Sequence, residues 1–140
     1  MEILNYEILI NASPHKVWRI LWDPDTYTQW KQYFAPGSSM HSDWQVNGQT
    51  VFLDANGDGM ISPITELEEF KRVTFQHLGM LEDGIEDLDS ESVKKWSGVL
   101  EKYVLKDLNG STKLGVELET SKQHVELMNN GLKRGFEIVK

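Results

Sequence analysis

Hydrophobic residues near the end of the chain recur at steps of three and four positions. The residues on this stripe are Val125, Met128, Leu132, Phe136 and Val139. This spacing puts side chains on one helix face, so it predicts a long amphipathic helix over 121–140. Thr120 and Gln123 fit a capping box at its start. Gly131 and Gly135 lie beside the stripe, where each costs up to about 1 kcal/mol relative to Ala. We therefore expect that a sheet approaches closely there or that space is left for a guest molecule.

The beginning of the chain alternates between hydrophobic and polar positions. Leu4, Tyr6, Ile8 and Ile10 occupy every second position, which predicts a strand over 3–10 with these side chains on one face. Ser13 followed by Pro14 predicts a helix start, with Ser as the N-cap and Pro at the first helical position. We expect a helix over 14–22 and a second short helix after Asp23-Pro24.

Strand-like segments separated by turn residues fill the middle of the chain. The pattern predicts two extended segments within 40–54 that meet at Asn47-Gly48, and strands over 61–67, 72–78, 96–106 and 112–119. The last two form a hairpin around Asn109-Gly110. Residues 79–95 predict an acidic loop with a short helix near its end. Strands segregated from a long final helix indicate an α+β domain, with an antiparallel sheet folded over that helix.

Composition narrows the class of protein. A chain of 140 residues with 39% hydrophobic and 26% charged residues is typical of one globular domain. The net charge of −8 disfavours nucleic acids and anionic membrane surfaces as partners. The chain has no Cys, which excludes disulfides and thiolate zinc sites. The sequence contains no signal peptide pattern and no apolar run long enough to span a membrane, so we expect a cytoplasmic protein.

The helix start at Ser13 belongs to a longer motif. The motif is Asn11-Ala12-Ser13-Pro14-His15-Lys16-Val17-Trp18, followed by Leu21, Asp23-Pro24, Tyr27 and Trp30. It resembles the opening of START-like (SRPBCC, helix-grip) domains, and within them the branch named after the activator of the heat-shock-protein-90 ATPase. Asp43-Trp44-Gln45-Val46 with Gly48, and Lys71-Arg72-Val73-Thr74-Phe75, also resemble that branch. The acidic segment after Gly79 is longer than is usual there.

The resemblance implies a curved antiparallel sheet that grips the C-terminal helix, with a deep apolar cavity between them, in one domain over 1–140. Relatives with this fold bind lipids, sterols, plant hormones or polyketides. Some are cyclases or hydrolases, and others act as partners of proteins. Because one fold serves several functions, the function has to be argued from the site.

We expect the cavity wall to be mostly apolar with a few polar groups. The predicted ligand-binding residues are Trp30, Phe52, Glu66, Phe75, His77, Trp96, Met128 and Leu132. We expect Trp30 at the mouth, where the short helices meet the sheet. His77 shares a strand face with Phe75, and a neighbouring strand could bring Glu66 beside it as a carboxylate partner. The alternative is that the aromatic residues are core residues and that His77 is a wall residue with satisfied hydrogen bonds.

Two acidic segments raise the question of a metal. Residues 54–59 resemble the first half of an EF-hand calcium loop, but Thr65 occupies the last position, where the loop needs a bidentate Glu. The flanking segments are strand-like, so the pattern predicts a hairpin loop instead. The acidic run over 82–91 lacks His and Cys and predicts a solvated surface loop. We therefore predict no metal and no cofactor.

The predicted function is binding of a small hydrophobic or amphipathic molecule in the cavity between the sheet and the C-terminal helix. One alternative is an acid–base enzyme of the cyclase or hydrolase type that uses the same cavity. The other is a protein-interaction module similar to a co-chaperone. An enzyme requires a buried titratable group with a carboxylate in reach, a binder an apolar cavity with isolated polar groups, and an interaction module an exposed apolar patch.

Overall fold

The computed structural model describes residues 2–33, 37–120 and 125–139, with residues 136–139 described by their backbone alone. The elements in chain order are β1 (Glu2–Ile10), α1 (Pro14–Trp22), α2 (Pro24–Lys31), β2 (Ser39–Ser42), β3 (Thr50–Leu53), β4 (Gly59–Ile61), β5 (Ile64–Glu68), β6 (Arg72–His77), β7 (Gly79–Glu82), β8 (Ile85–Asp87), α3 (Glu91–Lys94), β9 (Val99–Asp107), β10 (Thr112–Thr120) and α4 (Val125–Val139). None of the described helices is long and apolar enough to cross a membrane.

The strands that the structure describes form two antiparallel ladders. One has the order β1-β10-β9-β6-β5, and the other has the order β2-β3-β4-β7-β8. The chain passes between the ladders through helices, from β1 to β2 and from β8 to β9, and directly at two adjacent bends, β4 to β5 and β6 to β7. Backbone hydrogen bonds join these bends, from Leu78 N to Ile61 O (2.9 Å) and from Gln76 N to Pro63 O (3.0 Å). The two ladders therefore form the curved antiparallel sheet of the predicted α+β helix-grip fold, which is confirmed.

The two short helices after β1 are also confirmed. The side chain of Ser13 caps α1 by accepting a hydrogen bond from Lys16 N (3.3 Å), and Pro14 occupies the first turn. Thr26 Oγ1 donates to Ile20 O (2.6 Å), and the indole N–H of Trp30 donates to Leu21 O (3.1 Å). Both bonds tie α2 to the end of α1, so they fix the angle between the two helices.

Helix α4 packs against α2, β1 and α1. Leu132 is buried in the hydrophobic core and Met128 packs at its edge, as expected for the apolar stripe. Gly131 and Gly135 are both buried. The predicted capping residue Gln123 and the start of the predicted helix lie in 121–124, outside the described residues.

Two sequence predictions about the middle of the chain are wrong. The acidic segment after Leu78 is not a loop: β7 and β8 form a hairpin whose turn residues, Asp83 and Gly84, have φ values of 51° and 76°. β7 is stabilised by pairing with β4, a contact that no local pattern reveals. The predicted strand over 61–67 is two strands, because the chain bends at Ser62-Pro63.

The segment with the calcium-like pattern is a hairpin loop, as predicted. Leu53 pairs with Gly59, which places residues 54–58 in the turn between β3 and β4. One carboxylate oxygen of Asp54 accepts hydrogen bonds from the backbone N–H groups of Asn56 (2.8 Å) and Asp58 (3.1 Å). Asp54 therefore stabilises the turn. In the described part of the chain, no three His, Asp or Glu residues are grouped to hold a metal ion.

Candidate functional site

The bend between the two ladders brings four polar side chains together inside the protein. Ser62 lies at the β4–β5 bend, and His77 is the last residue of β6, beside it. Glu101 and Tyr103 project from β9, the neighbour of β6, on the inner face of the sheet. All four residues are buried. We call Ser62, His77, Glu101 and Tyr103 the polar network.

Hydrogen bonds connect the polar network without interruption. His77 Nδ1 lies 2.6 Å from Ser62 Oγ, and His77 Nε2 lies 3.2 Å from Glu101 Oε1. The hydroxyl of Tyr103 donates to Glu101 Oε2 at 2.5 Å. Because an ionised carboxylate can only accept, the proton between His77 and Glu101 resides on Nε2. In the neutral ring, Nδ1 then accepts from the hydroxyl of Ser62, so both ring nitrogens are engaged.

Glu101 is ionised despite its burial. Burial by itself would raise its pKa, but the ammonium group of Lys31 and the hydrogen bonds from His77 and Tyr103 outweigh it and lower the pKa to about 2. Lys31, at the end of α2, lies over the rings of Trp30 (5.4 Å), Phe52 (5.5 Å) and Tyr27 (5.8 Å). These rings attract the cation through their negative faces, so Lys31 is held where it can balance the buried carboxylate.

A group of aromatic rings packs beside the polar network, where the ring of Phe52 lies 5.7 Å from that of His77. We call its members the aromatic cluster: Trp18, Trp22, Tyr27, Trp30, Trp44, Phe52, Phe75 and Tyr103. Trp22 is at its centre, with ring centroids 4.9 Å from Tyr103, 5.5 Å from Phe75 and 5.6 Å from Trp44, all edge to face. Trp44 is half-buried and has a φ of 55°, an unfavourable backbone conformation for a bulky residue. The cluster thus contains one strained residue at its partly exposed side.

Two hydrogen-bond donors in the aromatic cluster are buried without a partner among the described residues. They are the indole N–H of Trp22 and the hydroxyl of Tyr27. Burial raises the pKa of Tyr27 well above its usual value, and the negative charge of Glu101 raises it further, so the hydroxyl keeps its proton. Leaving a buried donor unpaired costs about 1–3 kcal/mol. Such groups therefore mark a position where a partner of complementary chemistry would be stabilised.

The structure brings most of the predicted ligand-binding residues together. Phe52, Phe75 and His77 line the inner face of the sheet, and Leu132 and Met128 approach from α4. Trp30 is fully buried and its N–H donates to Leu21 O, which joins α2 to α1. The expectation that Trp30 lies at a mouth is therefore wrong. An enclosed cavity between the sheet and α4 stays a prediction.

Two predicted residues lie elsewhere. The side chain of Glu66 is 59% exposed and faces Arg72 at 3.8 Å, so the expected pair with His77 is wrong; Glu101 takes that place. Glu66 is displaced because β5 pairs with β6 through a register irregularity between Ile64 and Glu66. Trp96 lies in the turn after α3 instead of on a strand and is not part of the hydrophobic core.

Sequence reasoning missed Ser62, Glu101 and Lys31. A signal existed for Glu101, since it shares a strand face with Tyr103 and Leu105, and a charged residue at an inward position indicates a buried polar site. Ser62 carries no comparable signal, because its role depends on the bend. Lys31 looks like an ordinary charge at the end of a helix.

The chain matches one family of known proteins over most of its length. Residues 11–137 match the family described as Activator of Hsp90 ATPase homolog 1-like protein. Because this match spans most of the chain, the protein belongs to that family, whose fold is START-like. Members of this fold family commonly bind hydrophobic ligands. A search among curated proteins found no match.

Solved structures share the fold at low sequence identity. A protein from Mesorhizobium loti is 14% identical with a TM-score of 0.73, covering 99% of this chain and 93% of that one. The Aha1 protein from Colwellia psychrerythraea, solved as a dimer, is 19% identical with a TM-score of 0.65, covering 99% and 91%. DynU16, from the dynemicin biosynthetic locus, is 15% identical with a TM-score of 0.69; the match covers 99% of this chain but only 46% of that one.

Proposed function

We propose that this protein binds a small amphipathic molecule between the curved sheet and α4, against the aromatic cluster. The observation that carries the proposal is the pair of buried donors, Trp22 Nε1 and Tyr27 OH, without a partner among the described residues. The rings that carry these two donors, Trp22 and Tyr27, are stacked on each other with their centroids 6.3 Å apart. A ligand with an apolar body and one hydrogen-bond acceptor matches this chemistry.

The charges around the site favour a neutral acceptor over an acid. Glu101 raises the pKa of Tyr27 through its negative charge, which implies that it also disfavours an anionic ligand at the same hydroxyl. Lys31 is already engaged with the aromatic rings and with the field of Glu101. We therefore expect the ligand to present a carbonyl, ether or ester oxygen to the donors and a flat apolar body to the rings.

A pair of matched probes tests the proposal: 2-acetylnaphthalene, which has a carbonyl acceptor, and 2-ethylnaphthalene, which has nearly the same shape without one. Affinities are measured by calorimetry and by the shift in melting temperature. One hydrogen bond gained should make the ketone bind about 2- to 10-fold more tightly than the hydrocarbon. Tyr27→Phe should abolish most of this preference and leave binding of the hydrocarbon unchanged.

The outcomes separate the ligand from its recognition. If neither probe binds the wild-type protein, the site does not take this class of molecule. If both probes bind equally well, the apolar body is recognised but the two donors are not used. A preference for the ketone that persists in Tyr27→Phe would transfer recognition to Trp22, and Trp22→Phe would then remove it.

A second candidate function is acid–base catalysis, and the observation that favours it is a buried His77 with a carboxylate in reach. Ser62, His77 and Glu101 are connected as in a hydrolase triad, in which the His takes the proton of the Ser hydroxyl. Ser62 is fully buried, however, so its hydroxyl is closed to a substrate in this structure. The network as described supports a wall residue better. His77→Gln separates the alternatives: for a wall residue, probe affinity stays within about 2-fold, whereas an enzyme loses turnover of an ester substrate while keeping its binding.

A further inference from the structure

Strand β1 is an edge of the curved sheet. Among the described strands it pairs only with β10, in a regular antiparallel register from Glu2↔Thr120 to Ile10↔Thr112 with no irregularity. A strand of nine residues extends over about 30 Å. An edge of this length presents a row of backbone donors and acceptors that another strand can join.

The other edges of the described sheet are protected in ways that β1 is not. Strand β5 has a register irregularity, and Val46 bridges to it while Asn47 N donates to Ile64 O at 2.8 Å. Strands β2 and β8 have four and three residues, so each offers little backbone for pairing. Proline, bulges and unpaired charges discourage edge pairing. Strand β1 has no proline, no lysine and no bulge, and the charge at its centre, Glu7, is paired with Lys113 of the neighbouring strand at 2.8 Å.

The outer face of β1 has a symmetrical pattern. Its side chains, in order, are Ile3, Asn5, Glu7 and Leu9, all exposed, with apolar residues at the ends and polar residues in the centre. Ile3 is 57% exposed and Leu9 is 62% exposed, which is high for aliphatic residues on a strand. Their cross-strand neighbours on β10 are Glu119 and Lys113, which do not cover them. The inward residues of β1 pack against the core instead.

From this pattern we infer that a second copy of the chain docks on β1, with the two β1 strands antiparallel about a two-fold axis at Tyr6. In this register, Ile3 of each copy lies opposite Leu9 of the other, and Asn5 lies opposite Glu7. Ile3 and Leu9 meet each other, and Glu7, which pairs with Lys113 of its own copy at 2.8 Å, meets the amide of Asn5. The contact is the same from both sides, as a two-fold dimer requires.

Neighbouring registers are worse for a physical reason. A shift of the axis to Glu7 places the two Glu7 carboxylates opposite each other, and like charges in that position destabilise the pair. A shift to Asn5 places Ile3 opposite Glu7. A shift by one residue turns the apolar face of one strand to the opposite side of the sheet. The axis at Tyr6 therefore satisfies charge and hydrophobicity together.

The dimer joins two curved sheets into one continuous sheet and leaves the aromatic cluster in each copy intact. The inference does not depend on the proposed ligand. Pairing through one strand gives an interface at the small end of the usual range, so we expect dissociation in the micromolar range.

Sedimentation velocity between about 1 and 200 µM tests the inference by mass action. We expect the wild-type protein to shift from monomer to dimer over this range. Leu9→Lys should weaken the dimer by at least about 10-fold, because it places a cation opposite Ile3 of the other copy. The matched control is Ile85→Lys on β8, the edge strand of the other ladder; Ile85 is 70% exposed, and its variant should dimerise like wild type.

Cysteine cross-linking tests the register independently of Leu9→Lys, and the absence of native Cys keeps the readout clean. An equal mixture of Asn5→Cys and Glu7→Cys should form a disulfide dimer several times faster than either variant alone. A wild-type protein that stays monomeric at about 200 µM would overturn the inference. Loss of the dimer in Ile85→Lys but not in Leu9→Lys would do the same, and faster cross-linking of either variant alone would overturn the register.

Discussion

Tyr27 and Tyr103 belong to the same aromatic cluster and are both buried, yet their hydroxyl groups are treated differently. The hydroxyl of Tyr103 donates to Glu101 at 2.5 Å, whereas that of Tyr27 has no partner among the described residues. Tyr103 is on the sheet, in a network where every polar group is bonded, and Tyr27 is on α2, facing other rings. A buried polar group that is fully bonded holds the fold together, and one that is unpaired raises the question of an external partner.

This difference indicates which buried residues are candidates for binding a ligand. The sequence indicated His77 as a candidate base. In the structure both of its ring nitrogens are hydrogen-bonded within the polar network. The two buried donors without a partner among the described residues belong to Trp22 and Tyr27. From the sequence alone, both residues look like ordinary core residues. The most reactive residue type is therefore not the best candidate for recognition here.

We expect the largest loss of stability when the polar network is broken at Glu101. Glu101→Ala removes the carboxylate that accepts hydrogen bonds from His77 and Tyr103 and that attracts the ammonium group of Lys31. Removing one partner from a buried charged network costs about 3–5 kcal/mol, which urea denaturation can measure. The control is Glu117→Ala, which removes a half-exposed carboxylate 3.7 Å from Lys102 and should cost at most about 1 kcal/mol. Equal losses in the two variants would mean that Glu101 is hydrated and the network is not central to stability.

The pH dependence of stability should reveal the same carboxylate. The pKa of Glu101 is about 2 in the folded protein against 4.5 ordinarily, so its stabilisation is fully present above about pH 4.5 and is lost as the pH falls towards 2. The full contribution is of the order of 3 kcal/mol, of which about 2 kcal/mol is lost by pH 3.

Glu101→Gln removes this titration, so it serves as the reference for all other carboxylates of the chain. The difference in unfolding free energy between wild type and Glu101→Gln should therefore shrink between pH 6 and pH 3. A difference that stays constant over this interval would show that the pKa of Glu101 is not lowered by folding.

Helix α4 packs against α1 and α2, which carry Trp22 and Tyr27. The two buried glycines of α4 can test this packing. A methyl group added at Gly131 or Gly135 should cost about 1–3 kcal/mol through overpacking, because this face of α4 lies against other elements. Asn130→Ala, at an exposed position of the same helix, should be neutral or slightly stabilising, since Ala is the better helix former. Thermal melts of the three variants suffice. If the glycine variants are also stabilised, there is room for a methyl group on this face of the helix, and α4 is not tightly packed against the neighbouring elements.

The smallest effect separates the two tyrosines directly. Tyr27→Phe removes a hydroxyl that has no partner in the described part of the chain, so we expect stability to stay the same or rise by up to about 1 kcal/mol. Tyr103→Phe removes a hydrogen bond to an ionised carboxylate and should cost about 1.5–3 kcal/mol. Both variants keep the ring, so chemical denaturation compares the hydroxyl groups alone. Destabilisation of Tyr27→Phe by as much as Tyr103→Phe would reveal a structural partner for Tyr27 and remove the main support for a ligand.

The elements at the two ends of the chain could be predicted from the sequence, because their signals are local. Alternation along β1, the Ser13-Pro14 start of α1 and the stripe of α4 each depend on residues a few positions apart. The acidic β7–β8 hairpin could not be predicted in this way. Its charges favour a loop, and the pairing of Met80 with Met60 on β4 overrides that preference.

The sequence by itself determined the α+β order, the helix starts and most of the turns, and its opening motif indicated the family. Only the tertiary structure decided which carboxylate meets His77, because Ser62 and Glu101 lie 15 and 24 positions from it and are brought together by the bend and by the register of β6 on β9. It likewise decided that the hydroxyl of Tyr103 is bonded and that the hydroxyl of Tyr27 has no partner among the described residues. Local patterns act through neighbouring residues and can be read along the chain, whereas hydrogen bonds inside the protein depend on the relative positions of whole strands and helices.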